Sequence, residues 1–162
     1  MTTERIRVLR EQGEHEAALE LALELAAQSP GSAELQLEVA SINDNLGRES
    51  AAIPFYIKAI AGGLDEAGLR GAYLGLGSSY RVLGRYSEAL GVLEEGIDKF
   101  PDAVELKVFR AMALYNLDRA KEAVASLLML LAETSNAEEI RSYRGAIEHY
   151  ASDLSRVWPD RS

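Results

Sequence analysis

The residues that could do chemistry are few and scattered. Two histidines, His15 and His149, stand near opposite ends of a 162-residue chain. Glu11 and His15 have the four-residue spacing that puts two side chains on one helical face, but Gly13 lies between them and interrupts such a helix. There is no His-Glu-x-x-His, no glycine-rich phosphate loop and no Gly-x-Ser-x-Gly elbow. Leu76-Gly77-Ser78-Ser79 falls inside a segment of helical periodicity, not on a strand-to-helix turn. Paired-carboxylate catalysis needs two opposed carboxylates in a sheltered cleft, whereas Glu20/Glu24 and Glu94/Glu95 read as solvated faces. The absence of cysteine removes a thiol nucleophile, a thiolate zinc site and a disulfide frame. The expectation is a protein with no catalytic residue, no metal and no cofactor.

Composition narrows the partners. The net charge is −9, from 26 acidic and 17 basic side chains. A nucleic-acid or anionic-membrane surface needs a cationic patch, so neither is expected. A basic partner is compatible with this charge. Hydrophobic residues make up 48%, enough for one sizeable core. The leading MTTERIRVLREQGEHE is too charged for a signal peptide, and no apolar run approaches spanning length. A cytoplasmic protein is expected.

The elements read as helices throughout. A short helix over 2–12, capped by Thr2 or Thr3 and striped by Ile6 and Leu9, ends at Gly13. Residues 14–28 form a second, with Ala18, Leu21, Ala22 and Leu25 inward, closed by Pro30-Gly31. Ser32 caps a third, over 33–46, with Leu35, Val39, Ala40 and Ile42 apolar. After Gly47, Ser50 is placed to cap a fourth over 50–61, where Pro54 is tolerated as a first-turn residue. Its inner face carries Ala52, Tyr56, Ala59 and Ile60.

Gly62 or Gly63 ends that helix, and Asp65 caps a longer one beginning near Glu66. Two more helices follow over 103–117 and 120–133, the first departing from pattern at Lys107 and Arg110. Asn136 and Glu139 have capping-box spacing and open a last helix to about 157, with Ile140, Tyr143, Ile147, Leu154 and Val157 on one face. The tail Pro159–Ser162 is expected to be loose.

The pieces recur. Gly13 and Gly47 are 34 residues apart, as are Ala18 and Ala52. Gly47 to Gly84 and Ala52 to Ala89 are 37, the three extra residues falling in AGGLDEAGL. The interval then returns to 34, with Asp118 in the turn glycine's place and Ala123 after Ala89. In the best-formed unit, Tyr73, Leu76, Gly77 and Tyr80 share one helical face, Ala89, Leu93 and Ile97 share another, and Pro101 closes it. This resembles the tetratricopeptide repeat: aromatic-x-x-Leu-Gly-x-x-Tyr, then Ala-x-x-x-(large apolar), then Pro. Tyr73 stands in the usual tryptophan place and Leu93 in the usual phenylalanine place. The order and the insertion are also similar to a small bacterial subgroup of uncharacterised function.

The resemblance implies an all-α, right-handed αα-superhelix: helix pairs at about 2–30, 32–62, 65–101 and 103–134, nine helices in all with a capping helix over about 136–157. The first helix of each pair would line a concave groove that takes a peptide or a helix of a protein partner. The side chains projected into it are Leu37, Ser41, Asp44 and Asn45; Gly71, Leu74, Ser78 and Arg81; and Glu105, Val108, Met112 and Tyr115, with Arg7 and Arg10 contributing from the first helix. Family members that clamp a chaperone's terminal carboxylate use Lys, Arg and Asn at positions held here by Leu37, Ser41, Gly75, Glu105 and Phe109, so that clamp is not expected.

Two features stay open at this level. Gly68, Gly71 and Gly75 lie on one helix, either for close contact with the preceding pair or to make room for a ligand backbone. Leu127 to Leu131 is apolar on every face; Leu127, Leu130 and Leu131 have neighbours in the stack, while Leu128 and Met129 do not. Either the final helix, with Tyr143, Tyr150 and Trp158, folds over those two, or they form a self-association patch for a homodimer.

Overall fold

The computed structural model describes residues 2–157, and these are all helix, turn and loop. In chain order the helices are α1 Thr2–Glu11, α2 His15–Gln28, α3 Ala33–Asn45, α4 Glu49–Ala61, α5 Glu66–Val82, α6 Tyr86–Lys99, α7 Val104–Asn116, α8 Ala120–Thr134, α9 Glu138–Ser142 and α10 Arg144–Ala151. They pack as sequential antiparallel pairs, α1 with α2 through α7 with α8, and each pair stacks on the next through α2–α3, α4–α5 and α6–α7.

The turns follow from local chemistry. Gly13, Gly47, Gly63 and Gly84 all have positive φ, and Asp118 takes the same left-handed conformation at φ 60°. The Ser32 hydroxyl accepts from the Leu35 N–H at 3.3 Å, and an Asp65 carboxylate oxygen accepts from the Gly68 N–H at 2.7 Å. At 17 residues, α5 is the longest helix, as the three-residue insertion requires.

Three expected boundaries differ. Thr3 lies inside α1 and does not cap it. Ser50 does not cap α4, which starts a residue earlier at Glu49 after Arg48. Pro54 is therefore the sixth helical residue, past the first turn, and the Ser50 carbonyl has no helical N–H to meet; both residues are exposed, so water can reach that carbonyl.

The third difference is at the C-terminal end, and it brings the helices among the described residues to ten against the expected nine. The final helix breaks at Tyr143, whose N–H turns back to the Ile140 carbonyl, and ends at Ala151 instead of running to 157. Asn136 and Glu139 form no capping box; the Ser135 hydroxyl accepts from the Ala137 N–H instead. The break lets α10 fold back along α8, burying Ala151 and joining Lys121 to Asp153 at 2.8 Å. Tyr143, Leu154 and Val157 stay exposed, so the expected apolar face holds only through Ile140 and Ile147.

The core forms two clusters that meet at Phe55. One joins Ile6, Ala18, Leu19, Ala22 and Ala26 to Leu35, Val39 and Ile42; the other runs from Ala40 through Tyr56, Tyr73 and Leu93 to Leu106, Leu114 and Ala123. On α2 the buried positions are Ala18, Leu19, Ala22 and Ala26, with the expected Leu21 and Leu25 only half-buried. Arg110 explains the departure on α7: it reaches Glu94 on α6 at 2.9 Å and Glu122 on α8 at 3.3 Å, tying the third pair to the fourth.

The three glycines of α5 divide. A Cβ on Gly75 would fall 2.6 Å from Cε1 of Tyr56 and closer still to Cζ and Oη, so this glycine lets α4 approach. One on Gly68 would crowd its own cap, Asp65 and Leu64. One on Gly71 would meet nothing within 4 Å.

Candidate functional groove

Helix spacing makes the groove. α3 touches α5 and α5 touches α7, while α2, α4 and α6 pack on their odd-numbered neighbours and not on one another. Arg10 links α1 into the odd row by reaching Glu38 at 2.8 Å and Ser41 at 3.1 Å on α3. A stack whose odd helices lie closer together than its even ones curves toward the odd side.

The expected lining residues sit on that row. Leu37, Ser41, Leu74, Ser78 and Val108 are half-buried; Asn45 is exposed. Leu37 and Leu74 pack partly on the main core, so their role is shared between groove and scaffold. Arg81 is half-buried, Met112 is exposed and Tyr115 is 67% exposed. Asp44 turns aside: its two carboxylate oxygens accept from the Tyr56 hydroxyl at 3.2 Å and the Ser79 hydroxyl at 3.3 Å.

Three hollows lie along the row. The first is polar, lined by Arg7, Arg10, Glu11, His15, Glu38 and Asn45 near the first turn, so Glu11 and His15 do face one space despite the break at Gly13. The second lies between α5 and α7 beside Arg70, Gly71, Leu74 and Glu105. Arg70 holds Glu105 through two hydrogen bonds of 2.9 and 3.0 Å, which keeps that carboxyl below the usual range. The third, of about 370 Å³, lies between α7 and α8 and is lined by Arg81, Met112, Tyr115, Asn116, Val124 and Leu127.

Asn116, Val124 and Leu127 were not anticipated beside Arg81, Met112 and Tyr115. The signal was in the sequence: Val124 and Leu127 are one turn apart, at positions that a following hairpin would normally cover. Leu127 and Leu131, expected to be inside the stack, are exposed because α10 folds along the other side of α8, against Lys121 and Ala125. Leu128, one turn beyond Ala125, is half-buried; Met129 is 44% exposed. Trp158 and the tail 159–162 lie outside the described residues.

Acidic groups are mostly engaged with cations or phenols. Glu94 meets Arg110 and Glu95 accepts from the Tyr73 hydroxyl at 2.6 Å, so this pair is structural and not merely a solvated face. Burial raises the Asp44 carboxyl above its ordinary value of 3.8, and hydrogen bonds from Tyr56 and Ser79 only partly offset this. The native state therefore holds that proton more tightly than the unfolded chain does. Its contribution to stability falls as pH rises from about 4 through the raised value. Asp44→Asn should be more stable than wild type at neutral pH, with the difference closing as pH falls into the carboxylate range. Chemical denaturation of both proteins at stepped pH measures this, and comparison at each pH cancels the other carboxylates.

Among the described residues no three His, Asp or Glu side chains stand together as a metal-holding group, and no helix is long and apolar enough to cross a membrane. His15 and His149 lie on helices at opposite ends of the stack. What the groove offers is surface: a half-buried floor, exposed Met112 and Tyr115, and hydrogen-bonding groups along its edge. No curated protein matches the chain. The family described as Tetratrico peptide repeat matches residues 31–154, about three quarters of the chain, from the turn before α3 to just past α10. The chain belongs to the tetratricopeptide repeat family.

Proposed function

We propose that this chain is a non-enzymatic interaction module that holds a peptide or helical segment of a protein partner in the groove lined by α3, α5 and α7. Repeat domains of this family are generally protein–protein interaction modules. What supports the reading is that Leu37, Ser41, Leu74, Ser78, Val108, Met112 and Tyr115 all lie on α3, α5 and α7, whose successive members touch, and that none of the seven is fully buried. Large apolar side chains left open beside hydrogen-bonding groups suit an extended chain or an amphipathic helix.

Ser78 sits at the middle of this row, so Ser78→Tyr should fill the trough and lower recovery of a partner from lysate at least about tenfold, equivalent to ~1.4 kcal/mol. The control is Glu20→Tyr, an exposed residue of α2 on the other side. Quantitative mass spectrometry of the bound fractions reads the outcome. Equal recovery by wild type and Ser78→Tyr would remove the groove from the function.

A further inference from the structure

The hollow between α7 and α8 has a composition of its own. Four arginines are half-buried among the described residues: Arg10, Arg70, Arg81 and Arg110. Three of them reach carboxylates, at Glu38, Glu105 and Glu94. Arg81 reaches none. Its one contact is to the Asn116 side-chain oxygen at 3.5 Å, at the outer limit of a hydrogen bond, and its buried Nε donor has no partner. Guanidinium groups withdrawn from water are normally matched by acceptors, and among the described residues no carboxylate meets this one. Beside it, Met112, Tyr115, Val124 and Leu127 line the same hollow and remain exposed.

We propose that this hollow recognises an acidic side chain, Asp or Glu, carried next to a large apolar side chain on the partner segment. This deepens the groove reading and rests on it. The carboxylate would accept from Arg81, with Asn116 beside it, and the apolar neighbour would cover Met112, Val124 and Leu127. Charge on the whole molecule restricts the partner further. At −9 the protein repels a polyacidic segment, but charges beyond about 8 Å are screened at physiological salt, so one isolated carboxylate at Arg81 is compatible with a segment otherwise neutral or basic. One guanidinium with one amide matches a single side-chain carboxylate, not the pair presented by an acidic C-terminal residue.

The probe is an array of N-acetylated, C-amidated decapeptides in an Ala/Ser/Lys background. Each carries one Leu, Phe or Trp and one Glu or Gln at spacings of one to four. Wild type should retain the Glu peptides over their Gln partners by about tenfold or more, the scale of a charge-assisted hydrogen bond. Arg81→Gln, checked for folding by circular dichroism, should erase that ratio while still retaining the apolar peptides. Leu127→Glu should lose both. Equal retention of Glu and Gln peptides, or a ratio unchanged in Arg81→Gln, overturns the proposal. If peptides bind with no acid preference and Ser78→Tyr abolishes binding, the groove reading stands and this inference alone fails; if no peptide is retained, both fail. A wild-type dimer that Leu127→Glu converts to monomer in sedimentation would assign the face to a second copy and also overturn it.

Discussion

Gly75→Ala should destabilise the protein by about 2 kcal/mol or more, while Gly71→Ala on the same helix should stabilise it by up to about 1 kcal/mol. The intrinsic helix gain is the same for both, so any difference comes from surroundings. At Gly71 a methyl group meets nothing within 4 Å. At Gly75 it collides with the Tyr56 ring, which is 4% exposed and cannot retreat without leaving Asp44, to which its hydroxyl donates. Moving the ring would loosen the junction of the second and third pairs and leave a half-buried carboxylate with one donor fewer. Burial and the nearby Asp44 charge already hold the Tyr56 hydroxyl well above the ordinary phenol range, so it stays a donor at any physiological pH. Equilibrium denaturation of the two variants gives the sign directly. A double-mutant cycle gives the cause: in a Tyr56→Leu background the cost of Gly75→Ala should largely disappear, since the coupled pair is in contact. If the two alanine variants prove equally stable, or the cost survives the removal of the ring, Gly75 is not there to admit Tyr56.

That pair of glycines also shows how far the sequence could be read. Periodicity exposed the hairpins because a 34-residue recurrence of glycine and alanine positions needs no knowledge of neighbours, and the longer α5 followed from three counted residues and an aspartate placed to cap. Which glycine of α5 faced a tyrosine and which faced open space depended on rotation about the helix axis relative to α4. Sequence spacing fixes one face of a helix but not what is packed against it. The same limit applied at α8. Leu127 and Met129 are two residues apart, so they point about 160° away from each other, and nothing local says which side the C-terminal segment will cover. The break at Tyr143 decided it, and neither proline nor a capping box marks that break. Spacing placed Arg81 on the same face as Leu74 and Ser78. Its lack of a carboxylate was not legible, because Arg10, Arg70 and Arg110 find theirs on neighbouring helices, 16 to 35 residues away in sequence.

Pro54→Ala should raise stability by about 2 kcal/mol, an unusually large gain for one exposed position. A proline inside a helix loses one N–H bond and crowds the carbonyl four residues back, together costing about 3 kcal/mol. In α4 that carbonyl belongs to Ser50, the second residue of a helix that begins at Glu49. Two effects reduce the gain. Ser50 is exposed, so water can reach its carbonyl, and proline lowers the entropy of the unfolded chain by an amount worth about 0.4–1 kcal/mol. The apolar face is untouched, because Pro54 is exposed while Ala52, Ile53 and Tyr56 on the same helix are buried. For a domain of this size ~2 kcal/mol corresponds to a rise in Tm of roughly 4–8 °C. Amide hydrogen exchange supplies the mechanism, since the substitution brings a new N–H at position 54 that should be protected by the Ser50 carbonyl. A neutral or lower Tm with an unprotected amide at that position would mean that the first turn of α4 contributes nothing and that the helix in solution begins at the proline, where its fixed φ would be an advantage.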